Sequence, residues 1–251
     1  MSDVLLTASE GALVGLEAAV PELSVVRTPL LTAEPPESWD ELDRALDRLA
    51  SYAAVAITSP RAGAALVERL ASRGTRWPSA GPALWAVGDR TAASVAALGV
   101  AHLPRAPAVE SDGSAGASLA RAMIVAGAAG AVLFPCGERH RDELPRLLRD
   151  ATISVEEVVV YRMRISPAAD VRRAVAGARC VVAASPGAVE ALAAAVPRDA
   201  RPALVTIGPT TAAAAESSGW PPAGVAAAPA VPHVAAAIRS ALASPRPAGR
   251  P

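Results

Sequence analysis

VAITSPRAGAALVERL, Val55–Leu70, and VVAASPGAVEALAAAV, Val181–Val196, read as two copies of one local unit. Each opens on a short apolar run, passes through Ser-Pro, and continues with Ala, Val and Leu at helical spacing. An apolar run of that length is a buried strand, and serine followed by proline supplies a helix N-cap and a first helical residue that needs no N–H partner. A second pair follows in the same order: AVGDRTAASVAALGV, Ala86–Val100, and TIGPTTAAAAESSGW, Thr206–Trp220. In both, a strand ends in glycine, two residues lead to threonine, and a helix follows. A repeat of this length, kept in order and nearly in register, specifies two similar domains rather than one large sheet.

Working outward from the repeat, apolar runs at Val4–Thr7, Ser24–Thr28, Ala53–Thr58, Ala83–Val87, Val100–Leu103, Ala131–Phe134, Ser154–Tyr161, Arg179–Ala184, Ala203–Ile207 and Gly224–Ala227 alternate with helical segments. That is the pattern of parallel βα units, and the class is α/β. Two Pro-containing stretches, Leu31–Glu37 and Arg164–Ala169, read as linkers. If both cross between domains, residues 1–33 join residues 168–243 and the segment 37–163 is inserted between them. Five strands then fall to each domain, as in a flavodoxin-like doubly wound parallel sheet. The Pro-rich end, residues 244–251, reads as a disordered tail.

Acidic and basic residues balance at 24 each, so the chain has no electrostatic footprint for nucleic acid or a membrane surface. Cys136 and Cys180 form no CxxC pair, and His102, His140 and His233 have no ligand spacing, so neither a disulfide framework nor a metal site is expected. Lysine is absent, which removes the phosphate-loop motif; no G-x-S-x-G elbow and no G-x-G-x-x-G turn follows a strand. Hydrolase, NTPase and dinucleotide chemistries recede together. No basic leader precedes an apolar stretch, and no run approaches a membrane span, so a cytoplasmic protein is expected.

Candidate site residues sit where strands hand over to helices, since doubly wound folds bind ligands at the carboxyl ends of their strands. Ser59 and Ser185 occupy that position; each is also what a plain N-cap requires. Gly88 with Thr91, and Gly208 with Thr211, place backbone and a hydroxyl beside free helical N–H groups that favour carboxylate or phosphate. Phe134–Arg149, FPCGERHRDELPRLLR, leaves a strand through Pro135 and Gly137 into a helix loaded with arginines, where Arg139 and Arg141 are candidates for acidic groups or members of an ordinary solvated, salt-bridged helix face. Tyr161, one of two tyrosines, ends a strand just before the second linker and brings a phenol that can donate a proton or simply pack at a sheet edge.

Taken in order, Thr58-Ser59-Pro60, Val87-Gly88 to Thr91, Phe134 to Leu144, Val160-Tyr161-Arg162, Ser185-Pro186 and Ile207-Gly208 to Thr211-Ala212 resemble the uroporphyrinogen III synthase family over almost the whole chain. The resemblance implies a two-domain enzyme without metal or cofactor, acting as a monomer on hydroxymethylbilane, with no nucleic-acid or membrane partner. It implies Tyr161 as proton donor to the leaving hydroxyl, and Ser59, Thr91, Ser185 and Thr211 as substrate contacts, to which the strand-end reading adds Gly88, Gly208 and Arg139 as substrate-binding candidates. The chain departs from the family pattern at Thr7-Ala8-Ser9, where Thr-Arg-Pro is common, at Gly63, where an apolar residue is usual, and at Cys136, where arginine is common. A non-catalytic module binding an anionic small molecule, or a degenerate paralogue, is the competing reading; such a module would have no need of Tyr161.

Overall fold

The computed structural model describes residues 2–8, 11–100 and 114–243. In chain order the first elements are β1 (Val4–Leu6), α1 (Leu16–Ala19), β2 (Val25–Arg27), β3 (Leu31–Glu34), α2 (Asp40–Asp47), β4 (Ala54–Ile57) and α3 (Pro60–Ser72). There follow β5 (Ala83–Ala86), α4 (Gly88–Ser94), α5 (Ala115–Val125), β6 (Val132–Gly137), α6 (Glu143–Asp150) and β7 (Val155–Ile165). The chain closes with α7 (Ala168–Val175), β8 (Cys180–Ala183), α8 (Pro186–Ala195), β9 (Ala203–Thr206), α9 (Pro209–Ser217), β10 (Gly224–Val225) and α10 (Val231–Ala243). These elements form two compact units, one of residues 1–32 with 164–251, the other of residues 33–163.

In the first unit the sheet runs β10-β9-β8-β1-β2. Every neighbouring pair is parallel. Numbered within the unit, this is the 2-1-3-4-5 order of a flavodoxin-like sheet. Successive strand residues serve opposite faces: Leu5, Val181 and Leu204 enter one core cluster with Leu192 and Trp220, while Val4, Leu6, Val182 and Val205 enter another with Val234 and Ile238. Burial on both faces is why these strands are continuous apolar runs rather than alternating ones.

The sheet of the second unit runs β3-β7-β6-β4-β5. Its segment β7-β6-β4-β5 has the layout of β2-β1-β8-β9, with the two halves in the opposite chain order. Val55, Ile57, Leu84, Leu133 and Val158 pack with Leu66 and Leu70 on one face; Ala56, Trp85, Val132, Phe134 and Cys136 pack with Met123, Leu144 and Leu148 on the other. The helices are amphipathic at the matching spacing, as in Ala62, Leu66 and Leu70 of α3.

The stretch read as the first linker is in part a strand. Leu31–Glu34 is an edge strand beside β7, half exposed along its length, and Pro35-Pro36 ends it because proline brings no N–H to a ladder. β7 likewise runs on to Ile165, into the second linker reading. Ser166 N–H donates to the Leu30 carbonyl at 2.9 Å in the first unit, and the Arg162 guanidinium bonds the Pro35 carbonyl and Glu37 in the second. The strand expected at Val100–Leu103 lies, beyond Val100, outside the described residues, as does the tail 244–251; Val100 itself is outside any strand.

Gly63, one of the departures from the family pattern, has a packing reason. A β-carbon there would overlap Ser94 Oγ and come within 2.9 Å of Val95 Cγ1. Only glycine lets α3 and α4 approach so closely.

Candidate active site

In the second unit β4 and β6 are neighbours, but their pairing consists of Ala54 with Val132 and Val55 with Leu133. Beyond that point β4 continues against β5 and β6 continues against β7. Pro135 interrupts the donors of β6 just where the two strands part, although the strand itself runs through it to Gly137 and past the expected end at Phe134. The carboxyl ends are left open at the place where strand order reverses, which is where doubly wound sheets hold ligands. A cavity of about 410 Å³ lies there, its wall including Thr58 and Ser59 after β4, Cys136 and Gly137 ending β6, Arg141 in the turn that follows, and Tyr161 of β7.

The corresponding place in the first unit is closed. β1 and β8 stay paired through Leu6 and Val182, and the Thr7 hydroxyl donates to the Val182 carbonyl at 2.9 Å and accepts from the Ala184 N–H at 3.3 Å. A larger cavity of about 810 Å³ in this unit includes Arg179 and Ala203, at the amino ends of β8 and β9. That is the end of a parallel sheet at which ligands are not expected, so its size does not make it the site.

Two expected site residues meet in the open cavity: Ser59 Oγ and Tyr161 OH are 3.4 Å apart. Ser59 caps α3 by accepting the Arg61 N–H at 3.2 Å, with Pro60 as first helical residue. Capping fixes the serine rotamer and therefore the direction from which the phenol is met. Tyr161 is brought there by an irregularity in register. Cys136 pairs with Val159, but Gly137 pairs with Tyr161, so β7 spends an extra residue against β6. The Glu138 N–H then donates to the Tyr161 carbonyl at 3.0 Å. A β-carbon on Gly137 would lie 2.6 Å from Tyr161 Cζ and 2.8 Å from its hydroxyl oxygen. The tyrosine ring occupies the space that the glycine leaves.

His140 braces this turn. Its Nδ1 lies 3.0 Å from the Gly137 carbonyl oxygen and its Nε2 2.5 Å from Glu157 Oε2, while the ring stands edge-on to Phe134 with centroids 5.5 Å apart. Burial of the Glu157 carboxyl works to raise its pKa, but hydrogen bonds from Arg149 and His140 outweigh it, leaving Glu157 below its ordinary value. Cys136, in the cavity wall, is pushed up to about 12 chiefly by burial, with the Glu157 charge adding to it, so it stays a thiol and is no nucleophile. Glu143, another lining residue, has a buried Oε2 with no hydrogen-bond partner among the described residues.

The other expected residues are placed as follows. Gly88 begins α4 with φ +70°, and Thr91 is buried in the first turn at 4% exposure, so it can serve only a ligand that reaches into the turn. Arg139 is exposed and is not among the residues lining the cavity; Arg141, two positions on, is. Both arginines lie in an irregular turn and not on the helix expected to follow Gly137, since α6 begins only at Glu143, and no periodicity gives the facing of such a turn. In the first unit Ser185 caps α8 by accepting the Ala188 N–H at 3.2 Å. Gly208 caps α9 ahead of Pro209 in extended backbone, and Thr211 is buried in the first turn of that helix. Gly88 and Gly208, alike in sequence, therefore differ in conformation. Glu157 and Glu143 were not singled out in sequence; Gly137 was read only as the exit of a strand and His140 only as lacking metal-ligand spacing, although a histidine set among arginines was there to be noticed.

Among the described residues no group of three or more histidine, cysteine, aspartate or glutamate side chains could hold a metal ion. No helix among them is long and apolar enough to cross a membrane.

Residues 22–236 match the family model described as Uroporphyrinogen-III synthase HemD. Among solved structures, a mutant uroporphyrinogen III synthase from the extremely thermophilic bacterium Thermus thermophilus superposes with a TM-score of 0.64 at 15% identity, over 96% of this chain and 99% of that one. The uroporphyrinogen-III synthetase from Helicobacter pylori superposes with a TM-score of 0.60 at 14% identity, over 93% and 96%. At these identities the superpositions establish the fold. No curated protein sequence matches the chain.

Proposed function

Because the chain belongs to the uroporphyrinogen-III synthase family, we propose that it closes hydroxymethylbilane into uroporphyrinogen III, inverting the last pyrrole and releasing water. The observation that carries this reading is the meeting of Ser59 Oγ and Tyr161 OH, 3.4 Å apart, in the cavity between the carboxyl ends of β4 and β6.

The terminal hydroxymethyl group leaves as water when its oxygen takes a proton, and Tyr161 is the donor. Loss of water with the electron push of the pyrrole nitrogen gives an azafulvene. Its methylene carbon is attacked by the substituted carbon of ring D, forming a spiro centre that fragments and recloses with that ring reversed. Ser59, beside the phenol and held by its cap, orients the hydroxyl and offers a partner for the phenolic oxygen once the proton has moved. The substrate cyclises unaided to the unrearranged isomer, so the larger task is to hold the chain folded for attack at the substituted carbon.

Acetate and propionate side chains call for donors rather than a strongly basic protein. In the second unit Arg141 and the turn of Gly88 and Thr91 are assigned to them, with Arg139 at the exposed edge of the same segment; in the first unit Ser185, Gly208 and Thr211. We read the protein as a cytoplasmic monomer needing no cofactor. Chromatographic separation of the oxidised products into isomers I and III tests the reading: isomer III in excess supports it, and isomer I at the uncatalysed rate defeats it.

A further inference from the structure

His140 faces two acceptors. The Gly137 carbonyl oxygen is 3.0 Å from Nδ1, and the Glu157 carboxylate, already accepting from Arg149 at 2.6 Å, is 2.5 Å from Nε2. Neither acceptor has a proton to give, and a neutral imidazole carries a single N–H. Both contacts are hydrogen bonds only when both ring nitrogens are protonated; in either neutral tautomer one lone pair is turned on an oxygen. The contact at Gly137 matters because a β-carbon on that residue would lie 2.6 Å from the ring of Tyr161. The phenol has no room to stay in place if this backbone moves toward it.

We propose that His140, as an imidazolium, is a positioning residue for Tyr161: one N–H pins the carbonyl of Gly137, the other pins Glu157 on β7, and the clamp holds the turn against which the phenol is seated. The proposal rests on the reading of Tyr161 as proton donor. It adds that the donor's placement depends on the charge of a neighbouring side chain in the wall of the same cavity. The other titratable and charged groups that line the same cavity are Glu143 on α6, Arg141 in the turn, Cys136 on β6 and Tyr161 on β7, and Arg149 on α6 shares the Glu157 carboxylate. Arg149 also hydrogen-bonds the Glu157 carboxylate, at 2.6 Å, and with His140 keeps its pKa below the ordinary value, so the acceptor on β7 is a charged one.

Two readouts on the full chain separate this proposal from the assignment of function. Long-range proton–nitrogen NMR of the histidine side chains, with His140 identified by its loss in His140→Gln, should show both His140 ring nitrogens protonated at the pH of highest turnover. The Tyr161 ring resonances should shift together with those of His140 as pH is changed, and should no longer do so in His140→Gln. In turnover, kcat should fall as His140 deprotonates. His140→Gln should remove that limb of the profile and lower kcat about tenfold, with KM changed by no more than about twofold. His140→Lys, which keeps a charged donor, should hold its rate at the alkaline end where the wild type has lost it. Tyr161 resonances that ignore the His140 titration, or an alkaline limb unchanged in His140→Gln, would overturn the clamp. If the wild type makes no isomer III, the functional reading fails, and the NMR coupling still decides the clamp.

Discussion

Gly137 and Tyr161 are paired across β6 and β7, and the ring of the tyrosine lies where a β-carbon of the glycine would have to be, 2.6 Å from Cζ. The glycine is thus part of the tyrosine's seat. Gly137→Ala should leave the sheet intact at a cost of about 1–3 kcal/mol and move the phenol away from Ser59. Activity per folded molecule should drop to the level of Tyr161→Phe, and the double variant should be no worse than either. Melting curves beside steady-state rates check both halves; additive losses would show the two residues to be independent.

Removal of the phenolic oxygen alone should spare the fold. Tyr161→Phe is expected to lower kcat by about 10²-fold, within the range for loss of a general acid, with KM little changed. Ser59→Ala should act on two levels, losing the α3 cap at about 1 kcal/mol and some of the rate. Ser59→Asp, an adequate cap that cannot reproduce the hydroxyl, should recover the stability and leave the rate low.

Away from the site, Gly63→Ala should destabilise the second unit through α3 and α4 by about 1–3 kcal/mol without changing activity per folded molecule. The worst overlap is with Ser94 Oγ. Adding Ser94→Ala should therefore return part of the loss, which chemical denaturation of the four variants would read.

Asp43 is one source of acid sensitivity. Hydrogen bonds from Arg69, then Arg73, hold its carboxyl at about 2, below the 3.8 of the free group. A depressed folded-state value means the stabilisation is complete above the unfolded value and is lost as pH falls through the folded one. Asp43→Asn should thus unfold at lower denaturant than wild type above about pH 4, and the gap should close as pH falls toward about 2.

Neither cysteine should react in the folded protein. Cys180 is fully buried and Cys136 2% exposed, and burial pushes both thiols up to about 12. Alkylation at about pH 8 should report only global unfolding, with both thiols labelled together when denaturant is added.

What could be read from sequence was local chemistry repeated. The strand, the serine cap, the proline and the helix of Val55–Leu70 each follow from neighbours in the chain, and their second copy at Val181–Val196 made the two-sheet plan legible. β3 escaped because four half-exposed edge residues carry no apolar period and lead into Pro35-Pro36. The site was legible at Ser59 and Tyr161, which strand ends place, and illegible at Gly137 and His140. Their importance comes from a one-residue register shift and from side-chain contacts across strands. Arg139 and Arg141 show the same limit, since no period tells which way an irregular turn faces.

The most direct test of the account is a single-turnover experiment. Hydroxymethylbilane generated in situ is mixed with excess wild-type protein or excess Tyr161→Phe, and the oxidised products are resolved into isomers I and III. The account predicts mainly isomer III from the wild type, and from Tyr161→Phe a slower reaction that loses ground to spontaneous isomer I. Isomer III formed equally fast by both proteins would contradict Tyr161 as the proton donor, and isomer I from both would contradict the assigned reaction.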